Sequence, residues 1–346
     1  MRVDPFLVGI IFALSGGLVQ GAMLWPLKFT QKWGWENAWL GFSTAAYLLA
    51  PWVLAFSTAP HLLKMLSGVP SRTLALTFLL GVGWGLGNLL FGLGIAILGL
   101  GLGYTIILGL TVSEGTLAPL VVLAPEEVFA RRGLVLGIAV IAIIAGTAVC
   151  SYAGKLRERK LGSAAPLQGA MVQRPYALGL FVCVTAGILL PLGNLALTFG
   201  SEIKNHAARF GAGTFGSVNA LWAVATLPLF LCSAAYCLFL LRRNRTVQNF
   251  RKPGTAHYWL LALMAGTAQM AGIALYGFGA ANLGKLGTSI GFPLLMSAMI
   301  MTANALGVAS GEWGGAGRKS VGLMAAGLIV LLGAIVLIGY GNRPGS

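Results

Sequence analysis

Apolar residues run along this chain in ten blocks separated by short polar connectors, near 5–26, 37–59, 73–98, 102–123, 133–153, 176–199, 215–241, 258–280, 286–311 and 321–340. Each block is long enough to cross about 30 Å of hydrocarbon as a helix. A helix satisfies its own backbone groups, as lipid requires. The pattern therefore predicts an all-α integral membrane protein of ten transmembrane helices. The tightest connection lies between the third and fourth blocks, where Gly99, Gly101 and Gly103 must turn the chain in very few residues.

The blocks also repeat. GNLLFGLGIAILG at 87–99 returns as GIALYGFGAANLG at 272–284, with Gly87/Gly272, Leu90/Leu275, Gly92/Gly277, Gly94/Gly279, Ala96/Ala281, Leu98/Leu283 and Gly99/Gly284 in register and Phe91 opposite Tyr276. These pairs stand 185 positions apart. At a spacing of 170, Gly9, Ser15, Gly17 and Phe29 match Gly179, Thr185, Gly187 and Phe199. An odd number of spans per copy places the second copy upside down. The expectation is two inverted five-helix repeats, residues 1–165 and 166–346, with a binding site at their interface near mid-membrane. Chance resemblance between glycine-rich membrane helices is the competing explanation. Gly81, Gly83, Gly85 and Gly87 have overlapping small-xxx-small spacings, which let helix backbones approach closely in lipid.

Composition fits the same class. Hydrophobic residues make up 57% and charged residues 9%, with a mean hydropathy of +0.85. A soluble domain carries roughly 25% charged residues. The net charge of +15 does not signal nucleic acid, because the 23 basic residues lie almost wholly in connectors, where positive charge meets lipid head groups. Connectors after odd-numbered spans hold 14 of them, against 9 in the remaining connectors and termini, which places both termini outside the cytoplasm. Cys150, Cys183, Cys232 and Cys237 fall inside apolar runs without a CxxC pair and are expected to be buried, reduced thiols. The first block reads as a retained span, because no small-residue cleavage pattern follows it. His61, His206 and His257 sit unpaired in connectors, and GGAGRKS at 314–320 is a solvated turn rather than a phosphate loop. No catalytic constellation or metal set can be assembled, so an enzyme is not expected.

Several stretches together carry a resemblance: KLRERKLG at 155–162, PLKFTQKWGWENAW at 26–39, WGLGNLLFGL at 84–93, GTLAP at 115–119 and EWGGAGRK at 312–319. They resemble the bacterial L-rhamnose–proton symporter family, within the drug/metabolite transporter superfamily. The likeness covers most of residues 5–162. Beyond that it narrows to Gln269, Tyr276, Gly277 and the 312–318 loop, and much of spans six to nine departs from the family pattern. Membership implies a ten-helix permease of the inner membrane that takes up a neutral 6-deoxy sugar, with the proton as coupling ion and no other cofactor. Its partners would be the sugar and membrane lipids.

Within that frame, Glu114 is the expected proton carrier. It is the one acid of eight in mid-span, and desolvation there favours the neutral carboxyl. A sugar site needs amides, hydroxyls and an aromatic platform rather than charge. Trp84, Asn88, Gln269, Tyr276 and Gln20 are the candidates, and Trp84 and Gln269 are themselves 185 positions apart. Trp25, Asn194 and Asn219 stand in reserve. Interhelical hydrogen bonding, worth about 0.6 kcal/mol on average, explains any one of these polar residues alone. Lys28, Lys32, Trp33, Trp35, Glu36 and Trp39 form a collar after span one; interfacial anchoring accounts for it, with a Lys28–Glu36 salt bridge as a candidate gate. The function expected is proton-coupled uptake of a rhamnose-type monosaccharide. The alternative keeps the fold and moves another small metabolite, outward or without protons.

Overall fold

A computed structural model describes residues 4–161 and 175–342. Among these residues, ten helices are long and apolar enough to cross a membrane. They are span 1 (Pro5–Phe29), span 2 (Trp35–Thr58), span 3 (Ser71–Leu98), span 4 (Gly101–Leu123), span 5 (Arg131–Leu161), span 6 (Tyr176–Arg209), span 7 (Thr214–Arg243), span 8 (Ala256–Asn282), span 9 (Gly284–Ala309) and span 10 (Arg318–Gly341). The expected runs reappear with longer ends. Span 5 continues as helix past residue 153 to Leu161, where Arg159 and Lys160 in its last turn complement the helix dipole. Span 6 does not stop at 199 but proceeds in three pieces, Tyr176–Leu189, Leu192–Phe199 and Ser201–Arg209. Pro191 makes the first break, because it has no N–H to continue the ladder. Between spans 3 and 4, Gly99 alone reverses the chain at φ +82°, a backbone conformation that side chains disfavour. The repeat boundary at 165/166, and the connector from there to Arg174, lie outside the described residues.

The spans interleave. Span 1 packs against spans 8 and 9, and span 6 against spans 3 and 4. Span 2 lies on span 7, span 4 on span 9 and span 5 on span 10. Lipid tails are as apolar as leucine, so these seams hold by close packing over small residues. A Cβ on Gly9 would come within 2.6 Å of Leu283, and one on Gly179 within 2.7 Å of Leu98. Gly17 meets Leu295, and Gly187 meets Leu110. Leu98 and Leu283, like Leu110 and Leu295, are 185 positions apart, so equivalent glycines touch equivalent leucines. Gly81 of span 3 lies against Ala225 of span 7, and Gly266 of span 8, again 185 positions on, against Ala45 of span 2. The outer surface is apolar: Phe181, Ile329 and Val336 are all more than half exposed, as lipid contact requires.

Gly266→Ala would place a methyl 2.6 Å from the Phe42 carbonyl oxygen and 2.7 Å from the Ala46 nitrogen, so backbone must give way. The expected loss is about 1–3 kcal/mol, read as a lower unfolding midpoint in detergent. Gly137→Ala, which meets nothing within 4 Å, should leave that midpoint unchanged. Equal behaviour of the two variants would show that this seam is loose.

Candidate functional site

A polar and aromatic core lies where the two halves of the chain meet. Trp84 of span 3 stands on Gly193 of span 6, where a Cβ would come within 2.6 Å of the indole. Its ring centroid is 6.2 Å from that of Trp222 in span 7 and 6.4 Å from that of Tyr47 in span 2. Trp222 is 2% exposed, and its Nε1 points to Gly277 of span 8, 2.7 Å from where a Cβ there would be. Next to that glycine, Tyr276 donates its hydroxyl to the Asn194 Oδ1. Asn194 in turn donates through Nδ2 to the Gly115 carbonyl of span 4 at 2.7 Å. One turn along span 6, Thr198 reaches the Thr288 hydroxyl of span 9 at 3.0 Å.

Twelve buried side-chain polar atoms among the described residues have no hydrogen-bond partner, and Gln269 Oε1, Trp222 Nε1, Thr116 Oγ1, Ser289 Oγ and Ser297 Oγ are among them. An unpaired buried polar atom costs about 1–3 kcal/mol, and protein interiors hold few of them. Of these, Trp222 Nε1 belongs to the core described above, and Gln269 Oε1 to span 8, which also carries Tyr276. Gln269 and Tyr276 are two helical turns apart and so share one face of span 8. Gln20 of span 1 is 8% exposed and packs on Gly272, between those two levels.

The structure thus brings Trp84, Tyr276 and the reserve candidate Asn194 into one contiguous cluster, with Gln269 and Gln20 on its span 8 side. Asn88 is half-buried one turn beyond Trp84 and donates to the Trp84 carbonyl of its own helix at 3.0 Å. Asn219 donates to the Thr58 hydroxyl at 3.2 Å. Trp25 is 44% exposed, edge-on to Phe29 at the rim. Glu114 lies apart from the cluster. It sits half-buried in an open groove of about 480 Å³ on the flank of span 4, whose Val121 and Val122 are more than half exposed. Residues not singled out from sequence are Trp222, Tyr47, Thr198 and Thr288. Each is a polar or aromatic residue within an apolar run, with no spacing signal of its own. Among the described residues, no three His, Cys, Asp or Glu side chains converge as a metal site would need.

Charged contacts lie at both ends. Where odd-numbered spans finish, the expected Lys28–Glu36 pair is not formed. Lys28 binds Glu312 in the turn between spans 9 and 10, and Arg157 of span 5 reaches the other carboxylate oxygen at 3.2 Å. The Arg157 guanidinium also stacks 5.1 Å above the Trp313 ring. Glu36, in the first turn of span 2 and 5% exposed, points away from Lys28 and accepts from Asn244 at 3.1 Å and from Thr246. Burial pulls the Glu312 carboxyl up, but the hydrogen bonds and charges of Lys28 and Arg157 outweigh it and hold it below the ordinary glutamate value. At the opposite end Lys285 pairs with Glu126 at 3.0 Å and Arg132 with Glu127 at 3.7 Å.

A model of the L-rhamnose-proton symport protein family matches residues 3–343. An L-rhamnose-proton symporter of Escherichia coli O1:K1 is 25% identical over 341 residues, covering 96% of this chain and 97% of the relative. Symporters of the same description from E. coli strains SMS-3-5 and 55989 are 25% and 24% identical over the same lengths. No solved structure matches.

Because the Glu312 carboxyl is lowered by its partners, its contribution is complete above the ordinary glutamate value and lost as pH falls through the lowered one. Glu312→Gln should therefore melt below the parent at neutral pH, and the gap should close in acid. The side chain is 37% exposed, so the expected loss is under about 1 kcal/mol. A gap that persists in acid would place the effect outside the ion pairs.

Proposed function

The chain belongs to the L-rhamnose–proton symport family, a family of transporters, and we propose that it takes up a rhamnose-type monosaccharide together with a proton across the bacterial inner membrane, where it is a multi-pass protein. The observation that carries this reading is the charge-free cluster of Trp84, Trp222, Asn194, Tyr276 and Gln269, whose unpaired polar atoms suit a neutral polyol. Trp84 offers a face for the sugar's C–H surface, and Gln269, Tyr276 and Gln20 offer donors and acceptors to its hydroxyls. Asn88 takes part by giving up its bond to its own helix. Glu114 binds the coupling proton, since a neutral carboxyl is tolerated in lipid where a charged one is not.

In this mechanism two inverted five-helix repeats rock about the cluster and expose it to one side at a time. The reading is supported by the exchanged packing of spans 1 and 6 and by equivalent glycines meeting equivalent leucines. It extends to membership of the drug/metabolite transporter superfamily. The Lys28–Glu312–Arg157 contacts act as the gate at one end, with Glu36 bracing the neighbouring loop, and Lys285–Glu126 act at the other. The basic-residue bias places the termini, and with them Lys285 and Glu126, outside the cytoplasm. A second reading retains the fold and the cluster but moves another neutral hydroxylated metabolite, outward or without protons. It is favoured by the lining of Glu114's groove, which includes no residue of the cluster, because binding at the cluster does not need that carboxyl.

Proteoliposomes with an inward proton gradient should accumulate labelled L-rhamnose. Glu114→Gln should abolish accumulation while sugar exchange without a gradient continues; continued accumulation would remove Glu114 from the coupling. Trp84→Ala and Gln269→Leu should each weaken sugar binding about tenfold, read as a smaller sugar-dependent shift in melting. If no monosaccharide shifts the melting of the parent protein, the sugar assignment fails.

A further inference from the structure

Pro119 lies inside the span 4 helix and carries no N–H. The carbonyl one turn earlier, that of Gly115, therefore has no partner within its own helix. Asn194 of span 6 fills the gap, donating to that carbonyl at 2.7 Å, and the same side chain accepts from the Tyr276 hydroxyl of span 8. Both residues are sealed from solvent, Asn194 4% and Tyr276 2% exposed. Phe292 of span 9 completes the junction, pressed against Gly115 and edge-on to the Tyr276 ring at 6.2 Å. Three spans therefore meet at one amide, with span 9 packed against two of them. Glu114 is the residue immediately before Gly115, about 100° around the same turn. Its groove is lined by Leu110, Ser113, Leu117, Ala118, Val121 and Val122, all of span 4 and none of them titratable.

We propose that Asn194 is a positioning residue that makes span 4, and Glu114 with it, respond to sugar in the cluster. The inference rests on the symport reading above and deepens it. A sugar hydroxyl reaching Tyr276 or the Asn194 oxygen competes for the bond between them. Once that bond is exchanged the amide turns, and the Gly115 carbonyl is left bare in an apolar interior. A bare buried carbonyl is costly, so span 4 shifts at its proline until the carbonyl finds a new partner, and Glu114 moves with the helix. Linkage requires the reverse as well: proton binding that moves Glu114 changes sugar affinity by the same factor.

Pro119→Ala tests this without altering a sugar or proton ligand. It returns an N–H to the Gly115 carbonyl, which then no longer needs Asn194. In proteoliposomes, L-rhamnose exchange should stay within about twofold of the parent, while gradient-driven accumulation and protons moved per sugar fall about tenfold. A parallel fall in exchange and accumulation, or no fall in either, overturns the proposal. A second measurement needs no sugar, and so separates this idea from failure of the symport reading. Going from about pH 8 to about pH 5.5, deuterium uptake should change at residues 111–119 and at 192–199 together in the parent, and in neither segment in Glu114→Gln. Asn194→Leu should confine the change to 111–119. An unresponsive 192–199 segment in the parent, or an unaltered joint response in Asn194→Leu, overturns it.

Discussion

Lipid offers no hydrogen bonds, so a carbonyl that a proline leaves bare gains from a partner on a neighbouring helix. That constraint organises the middle of this protein. Pro119 frees the Gly115 carbonyl of span 4, and Asn194 of span 6 takes it at 2.7 Å. Pro191 frees the Gly187 carbonyl of span 6, and the Thr111 hydroxyl of span 4 lies 3.4 Å from it while donating to Ile107 at 2.8 Å. The two helices are thus tied firmly at the span 4 break, while at the span 6 break the single Thr111 proton is committed to Ile107 and only approaches the freed carbonyl. Soluble proteins would leave such carbonyls to water; here the repair itself fixes which spans are neighbours.

Small residues then set how closely those neighbours approach. With no hydrophobic force between helices in a bilayer, contact area and backbone proximity supply the attraction. Two such seams, Gly9 on Leu283 and Gly179 on Leu98, join spans from opposite halves of the chain. Span 1 rests on spans 8 and 9, and span 6 on spans 3 and 4, so the walls around the polar cluster draw on both halves of the chain. Ion pairs link residues 28 and 157 to 312 at one end, and 285 to 126 at the other.

The spans were legible because the bilayer imposes a length and a composition that no soluble helix needs. The short turn between spans 3 and 4 was legible as a glycine group, Gly99, Gly101 and Gly103, but only the backbone shows that Gly99 alone takes the left-handed φ of +82°. Helix ends were less so: charged turns such as those ending at Leu161 are outside the apolar run but are still good helix. Pair partners were beyond reach. Lys28 has Glu36 eight positions away, yet it binds Glu312, 284 positions on, because the first turn of span 2 aims Glu36 at Asn244 and Thr246 instead. Trp222 was missed for a related reason. A tryptophan in an apolar run looks the same whether it faces lipid or Trp84, and only the neighbouring helix decides.

The position of Glu114 poses the harder physical question. A coupling carboxyl inside the polar cluster could sense a sugar directly, through hydrogen bonds or through the field of its own charge. Glu114 lies instead on the outer flank of span 4, with its helix between it and the cluster. A neutral sugar has no charge to act at a distance, so any influence on that carboxyl must be carried by displacement of the helix. A continuous α-helix would resist bending, but one interrupted by proline yields at the missing bond. The break in span 4 falls one turn from Glu114, and the side chain that spans it, Asn194, is also the acceptor for Tyr276. On the proposed symport reading, that separation is what gives the proline a use: a weak turn between carboxyl and cluster is the one link by which a neutral guest at the cluster could act on the carboxyl.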